Sequence, residues 1–222
     1  MKWALALILA TGAAQAQEFI TASNMLSDND FYRLVSCAAP PNGDCQKEVV
    51  RWSATDAQDV SIGFVQIEPG YPQDLVRAAQ IALASAISEL NAADANLHVT
   101  LGHNKRKPDI GIHLLTIVEG DKIRNTGPDL LDGEPLEAAK IKIWWREDHS
   151  LIEGAIVFGK DIDPAALPSV MLEEVTQAMG LLTDIGGTVY ESQSIFSESS
   201  NQLTTLSRQD VMALRRHYPK SQ

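Results

Sequence analysis

The 222-residue chain carries 18 basic and 29 acidic side chains, a formal charge of -11, and 45% of its residues are hydrophobic. That apolar share suits one buried core and excludes the compositions of disordered or collagen-like chains. The acidic balance argues against nucleic acid or an anionic membrane surface as a partner.

Residues 1–16 read as a secretory signal. Lys2 precedes an apolar run from Trp3 to Ala10, and Ala14, Gln15 and Ala16 form a small-x-small cleavage site before Gln17. The run falls short of the roughly 20 residues of a spanning helix, and Gln17 is no lipid-accepting cysteine, so the expected product is periplasmic or secreted with no membrane anchor. Residues 17–50 are expected as an N-terminal extension. Within it, the turn in CAAPPNGDC brings Cys37 and Cys45 together as a small-loop disulfide.

From residue 51 onward the pattern alternates strands and helices. Val60 to Ile67 alternates as a strand does, and Gly70, Tyr71 and Pro72 then break the chain. Leu75, Val76, Ala79, Leu83, Ala86, Ile87 and Leu90 recur at three- and four-residue spacing, which predicts a long helix over 72–90. Strands are expected at Leu97–Leu101 and Ile110–Val118, with Lys105, Arg106 and Lys107 in a solvated loop between them. After a Gly-, Pro- and Asp-rich stretch, AKIKIWW and LIEGAIVFG flank a charged turn at 146–149 and read as a hairpin. Lys140 and Lys142 alternate with Ile141 and Ile143, as on an edge strand. Pro164 and Pro168 introduce a helix running to about Met179 and stopped by Gly180. In the last helix Ser207 is the cap, Asp210 stands three residues on, and Val211, Leu214 and Tyr218 form an apolar seam.

The cluster able to carry chemistry lies on the helix VMLEEVTQAMGLLTD. At about 100° per residue, Glu173 and Gln177 share one face with Glu174 beside them, while Leu172, Val175 and Met179 point the other way. The spacing ExxxQxxGLxxD over Glu173 to Asp184 resembles the zincin metallopeptidase motif HExxHxxGxxH/D. In that motif two histidines one turn apart bind zinc, the following glutamate polarises water, and the glycine turns the chain toward a third ligand. By position, Glu173 and Gln177 replace the histidines and Glu174 matches the catalytic glutamate. Gly180 matches the turn glycine, and Thr183 stands at the third ligand with Asp184 one residue later.

Ser194, Ile195 and Phe196 resemble the metzincin segment that floors the metal site, with Phe196 near the place of the family methionine. The closing LSRQDVMALRRHYP resembles the last helix of matrixin-type domains. More closely, EExTQAxGL, the following aspartate, SIF and the terminal LxxxDxxxLRxxYP resemble a family of exported bacterial proteins without an assigned reaction, domain of unknown function two-nine-two-seven. The resemblance spans residues 50–219 in outline and is specific over 172–219. It implies an α+β, zincin-like (metzincin-like) domain over 51–222: a mixed sheet with a long helix, a motif helix and a C-terminal helix.

The chemistry of the substituted site sets the functional expectation. The amide of Gln177 is a weak zinc donor, and His98, His103, His113, His149 and His217 are scattered without ligand spacing, so no zinc cofactor is expected. The oxygen donors Glu173, Glu174, Gln177 and Asp184 leave calcium or magnesium open. Two further readings are a metal-free acid–base site with one raised carboxyl pKa, and an ordinary helix face wetted by solvent. No GxSxG motif is present, and both cysteines are used in the bridge. The expected function is therefore a degenerate, non-peptidase binding or accessory component of the cell envelope, with a protein or peptide as the candidate partner. The alternative is a hydrolase using Glu174 as general base with an atypical or absent metal.

Overall fold

The computed structural model describes residues 19–102, 107–127 and 131–220. The expected signal at 1–16 lies outside the described residues, as do His103, Lys105 and Arg106. The chain order is β1 (Phe19–Thr21), α1 (Asp28–Cys37), β2 (Val60–Ile67), α2 (Gln73–Ala92), β3 (Val99–Leu101), β4 (Ile110–Leu115), β5 (Ala139–Trp145), β6 (Leu151–Gly159), α3 (Leu167–Gln177), β7 (Asp184–Gly186) and α4 (Arg208–His217).

A five-stranded mixed sheet runs β3-β2-β4-β6-β5. Three of its ladders are parallel, and β5 alone pairs antiparallel, with Ile141 opposite Ile156. Parallel strands need crossovers that cover their faces, and β4 at the centre is buried along its whole length. The expected hairpin is therefore present, with β5 as the sheet edge. Its turn is held by Asp148, whose Oδ1 accepts from both N and Oγ of Ser150, and His149 takes a left-handed φ of 62°.

One sheet face carries α2 and α3, packed on each other. Of the α2 positions read from spacing, Leu75, Val76, Ala79, Leu83, Ala86 and Leu90 lie in the main core and Ile87 packs against it partly buried, so helix period and burial coincide. On the other face Leu115, Ala155 and Val157 are covered by Ile123, Leu131 and Leu136 from the long β4–β5 connection. The architecture is mixed α/β, consistent with the expected α+β class.

Three elements lie outside the sequence expectation: β1, α1 and β7. Ser27 caps α1 by accepting from the Asp30 amide, and Ala38 closes it in a left-handed conformation at φ 54°. The helix then packs on α4. β1 pairs parallel with β7, Ile20 opposite Ile185. Phe31, Leu34 and Val35 belong to the same apolar cluster as α2 and α3, so the expected N-terminal extension packs on the rest of the fold. The Cys37–Cys45 disulfide is formed, with Cα atoms 5.1 Å apart, consistent with an oxidising compartment. Among the described residues, no helix is long and apolar enough to cross a membrane.

Candidate functional site

Helix α3 divides its residues between core and cleft. Met171, Leu172 and Val175 are fully buried in the main core, while Glu173, Glu174 and Gln177 line a cleft of about 650 Å³. The opposite wall is the edge strand β5, through Ala139, Lys140 and Ile141. Asp184 of β7, then Ser197 and Glu198 from the loop after it, close one side, and Lys47 joins from the cysteine loop.

The turn after α3 brings Asp184 back over the helix. Gly180 adopts φ 96°, and a Cβ there would stand 2.0 Å from the Val50 carbonyl oxygen, so only glycine fits. The end of α3 is then capped by distant side chains. The Trp52 indole donates to the Ala178 carbonyl at 3.2 Å, and the Tyr218 hydroxyl donates to the Met179 carbonyl at 2.6 Å while accepting from the Trp52 amide. These bonds satisfy carbonyls that a helix end leaves open. His217 is wholly buried: with Nε2 protonated it donates to Val50, and its Nδ1 faces the Tyr32 hydroxyl. Burial holds its pKa down at about 4, so it is neutral.

With the turn fixed, the Gln177 amide donates to Asp184 Oδ1 at 2.7 Å. Glu173 shares a hydrogen bond with the same aspartate. Asp184, and not the Thr183 position, therefore reaches the two residues that stand where the motif has histidines. Burial, then the Asp184 charge, raises the Glu173 pKa well above the carboxylate range, so Glu173 carries the proton of this pair. Asp184 is itself pushed up to about 7, by burial and by Glu198, against the lowering effect of its bonds to Glu173 and Gln177.

Glu174 is 9% exposed, and its Oε2 has no hydrogen-bond partner. Burial and the neighbouring Asp184 push its pKa up to about 8, although Lys140 pulls the other way. At pH 7 only about one molecule in ten carries a Glu174 carboxylate.

This donor set does not fit zinc. Gln177 presents its amide N–H to Asp184 and Glu173 shares a proton with it, so the two residues at the motif's histidine positions are bonded to Asp184, while Glu174 stands outside that chain. Among the described residues, no group of three or more His, Cys, Asp or Glu side chains is arranged to hold a metal ion.

The Ser194–Phe196 segment is fixed from α4. Ser194 Oγ donates to Asp210 Oδ1 at 2.6 Å, while Asp210 Oδ2 accepts from the Ser207 amide and completes the capping box. Phe196 itself packs against Phe31 in the core, and its neighbours Ser197 and Glu198 are the residues that reach the cleft. Lys140, Glu198 and Lys47 were not singled out from sequence. They reach the cleft from three separate segments, and only the alternation in β5 hinted at Lys140. No protein-family model matches the sequence, and no curated protein matches it.

Proposed function

We propose that this chain is an exported zincin-like protein with a degenerate site, a non-peptidase of the cell envelope that binds an extended peptide segment in the cleft between α3 and β5. The observation that carries the reading is the Gln177–Asp184–Glu173 chain, in which an amide and a shared proton tie together the side chains at the two motif positions that resemble histidine ligands. A protonated, self-bonded cluster does not polarise water as a metal does. The edge position of β5 supports the binding role, because among the described residues β6 is its strand neighbour and a sheet edge can take main-chain bonds from an added strand.

The test combines metal analysis with turnover. Protein purified without chelators is expected to hold far less than one zinc per chain and to leave a broad peptide library uncut. Stoichiometric zinc, or cleavage lost on Glu174→Gln, refutes the reading.

One observation favours hydrolysis by Glu174 as the second reading: its unpartnered Oε2 lines the cleft. A general base must be ionised, so such activity would rise with pH through about 8.

A further inference from the structure

The cleft combines an unsatisfied buried acceptor with an excess of acidic neighbours. Glu174 Oε2 has no partner although the residue is 9% exposed, and a buried polar atom left alone costs about 1–3 kcal/mol. An ionised Glu174 needs a donor that none of the described residues places at Oε2.

The charged groups facing Glu174 come from every surrounding element. Asp184 stands on β7 and Glu198 on the loop beyond it, Glu137 and Glu134 precede β5, and Glu173 is adjacent on α3. Among the described residues the cations at the cleft are Lys140, which bonds Glu137 at 3.2 Å, Lys47, and Lys142, which pairs with Glu134 at 3.1 Å. An anionic side chain entering here meets repulsion, and an apolar one leaves Oε2 unsatisfied. An ammonium or guanidinium supplies both donors and charge.

Resting on the reading that the cleft takes an extended segment, we propose that it selects one bearing a lysine or arginine side chain, whose cationic head enters between α3 and β5 to pair with Glu174. Main-chain pairing along β5 would be common to any extended peptide, so the side-chain preference is a separate quantity. Charge balance sets a second signature. The head enters charged, Glu174 gives up its proton to solvent, and the net charge of the cleft is unchanged. Binding then tightens as pH rises toward 8 and levels off above it.

Two blocked heptapeptides test this by calorimetry, one with a single central lysine and a twin with norleucine there. Titrations run at pH 6, 7 and 8.5, the middle one in two buffers of different ionisation enthalpy. The lysine peptide is expected to bind about tenfold or more tighter at pH 8.5 than at pH 6, with proton release at pH 7. The norleucine twin should be weaker at pH 8.5 and indifferent to pH, and Glu174→Gln should bring the two peptides together. Equal affinity of the twins at pH 8.5, or a lysine preference that survives Glu174→Gln, overturns the cation preference and leaves peptide binding standing. Failure of both peptides to bind overturns the cleft reading as well.

Discussion

Glu174→Gln is expected to make the fold more stable in mild alkali and to flatten its response to pH. In the folded chain the Glu174 pKa is about 8, against 4.5 for an ordinary glutamate. Between those values the folded state holds a proton that the unfolded chain has released. The stabilisation is thus complete below pH 4.5 and is lost as pH rises through about 8. Between pH 6.5 and 9 the loss acts over about one and a half pH units, on the order of 2 kcal/mol. For a chain of this size that lowers Tm by about 4–8 °C.

His217, held down at about 4, works in the opposite sense, since its contribution is present above pH 6.5 and lost as pH falls through 4. Melts followed by circular dichroism at pH 6.5, 7.5 and 9 therefore isolate the carboxyls. Asp184, with its pKa at about 7, adds to the loss at the low end of that window, and Glu173, held well above the carboxylate range, adds a fall that wild type and Glu174→Gln share. The wild type should fall across the series, and Glu174→Gln should fall much less and melt higher at pH 9. A wild-type Tm that is flat or rising over this window, or a variant that falls as steeply, refutes the burial argument.

Gly180→Ala places a Cβ 2.0 Å from the Val50 oxygen at φ 96°, so a loss of about 3 kcal/mol or more is expected in urea denaturation. Tyr218→Phe removes the donor to Met179 and the acceptor for the Trp52 amide. About 1–3 kcal/mol should be lost, with a change in tryptophan emission as the indole environment loosens. Replacing Cys37 and Cys45 by serine opens a loop of sequence separation 8, costing about 2–3 kcal/mol by chain entropy. Because the Lys47 amide donates to the Cys37 carbonyl and the Lys47 charge lowers the Asp184 pKa, that variant should also shift cleft titration, read by nuclear magnetic resonance of the Asp184 carboxyl.

Much of the fold was legible wherever one face of an element meets the core over several turns. The three- and four-residue spacing from Leu75 to Leu90 marks α2 because those residues pack on one side of the sheet. Lys140 and Lys142 marked β5 as an edge because they alternate with isoleucines. The helix α1 was not legible: Asp28, Asn29 and Asp30 are poor helix formers, and the helix is stabilised by burying Phe31 and Leu34 against residues far along the chain. Strands β1 and β7 have three residues each, too few to show a period.

At the site, helical spacing gave the shared face of Glu173 and Gln177, and the motif order gave Gly180. The bond from Gln177 to Asp184 depends on how the turn at Gly180 closes, which is set by Val50, Trp52 and Tyr218. The contacts of Val50 and Trp52 join segments more than a hundred residues apart, as between Trp52 and Ala178, beyond the reach of any local pattern.

The short ladder between β1 and β7 has a consequence for the order of assembly. Its two strands are separated by most of the polypeptide, and the carbonyls after α3 wait for Tyr218. A chain emerging from its N-terminus can complete the central sheet while the acidic recess still lacks its turn. Tyr218 must be in place before the recess takes shape, so partly folded chains would not yet present it.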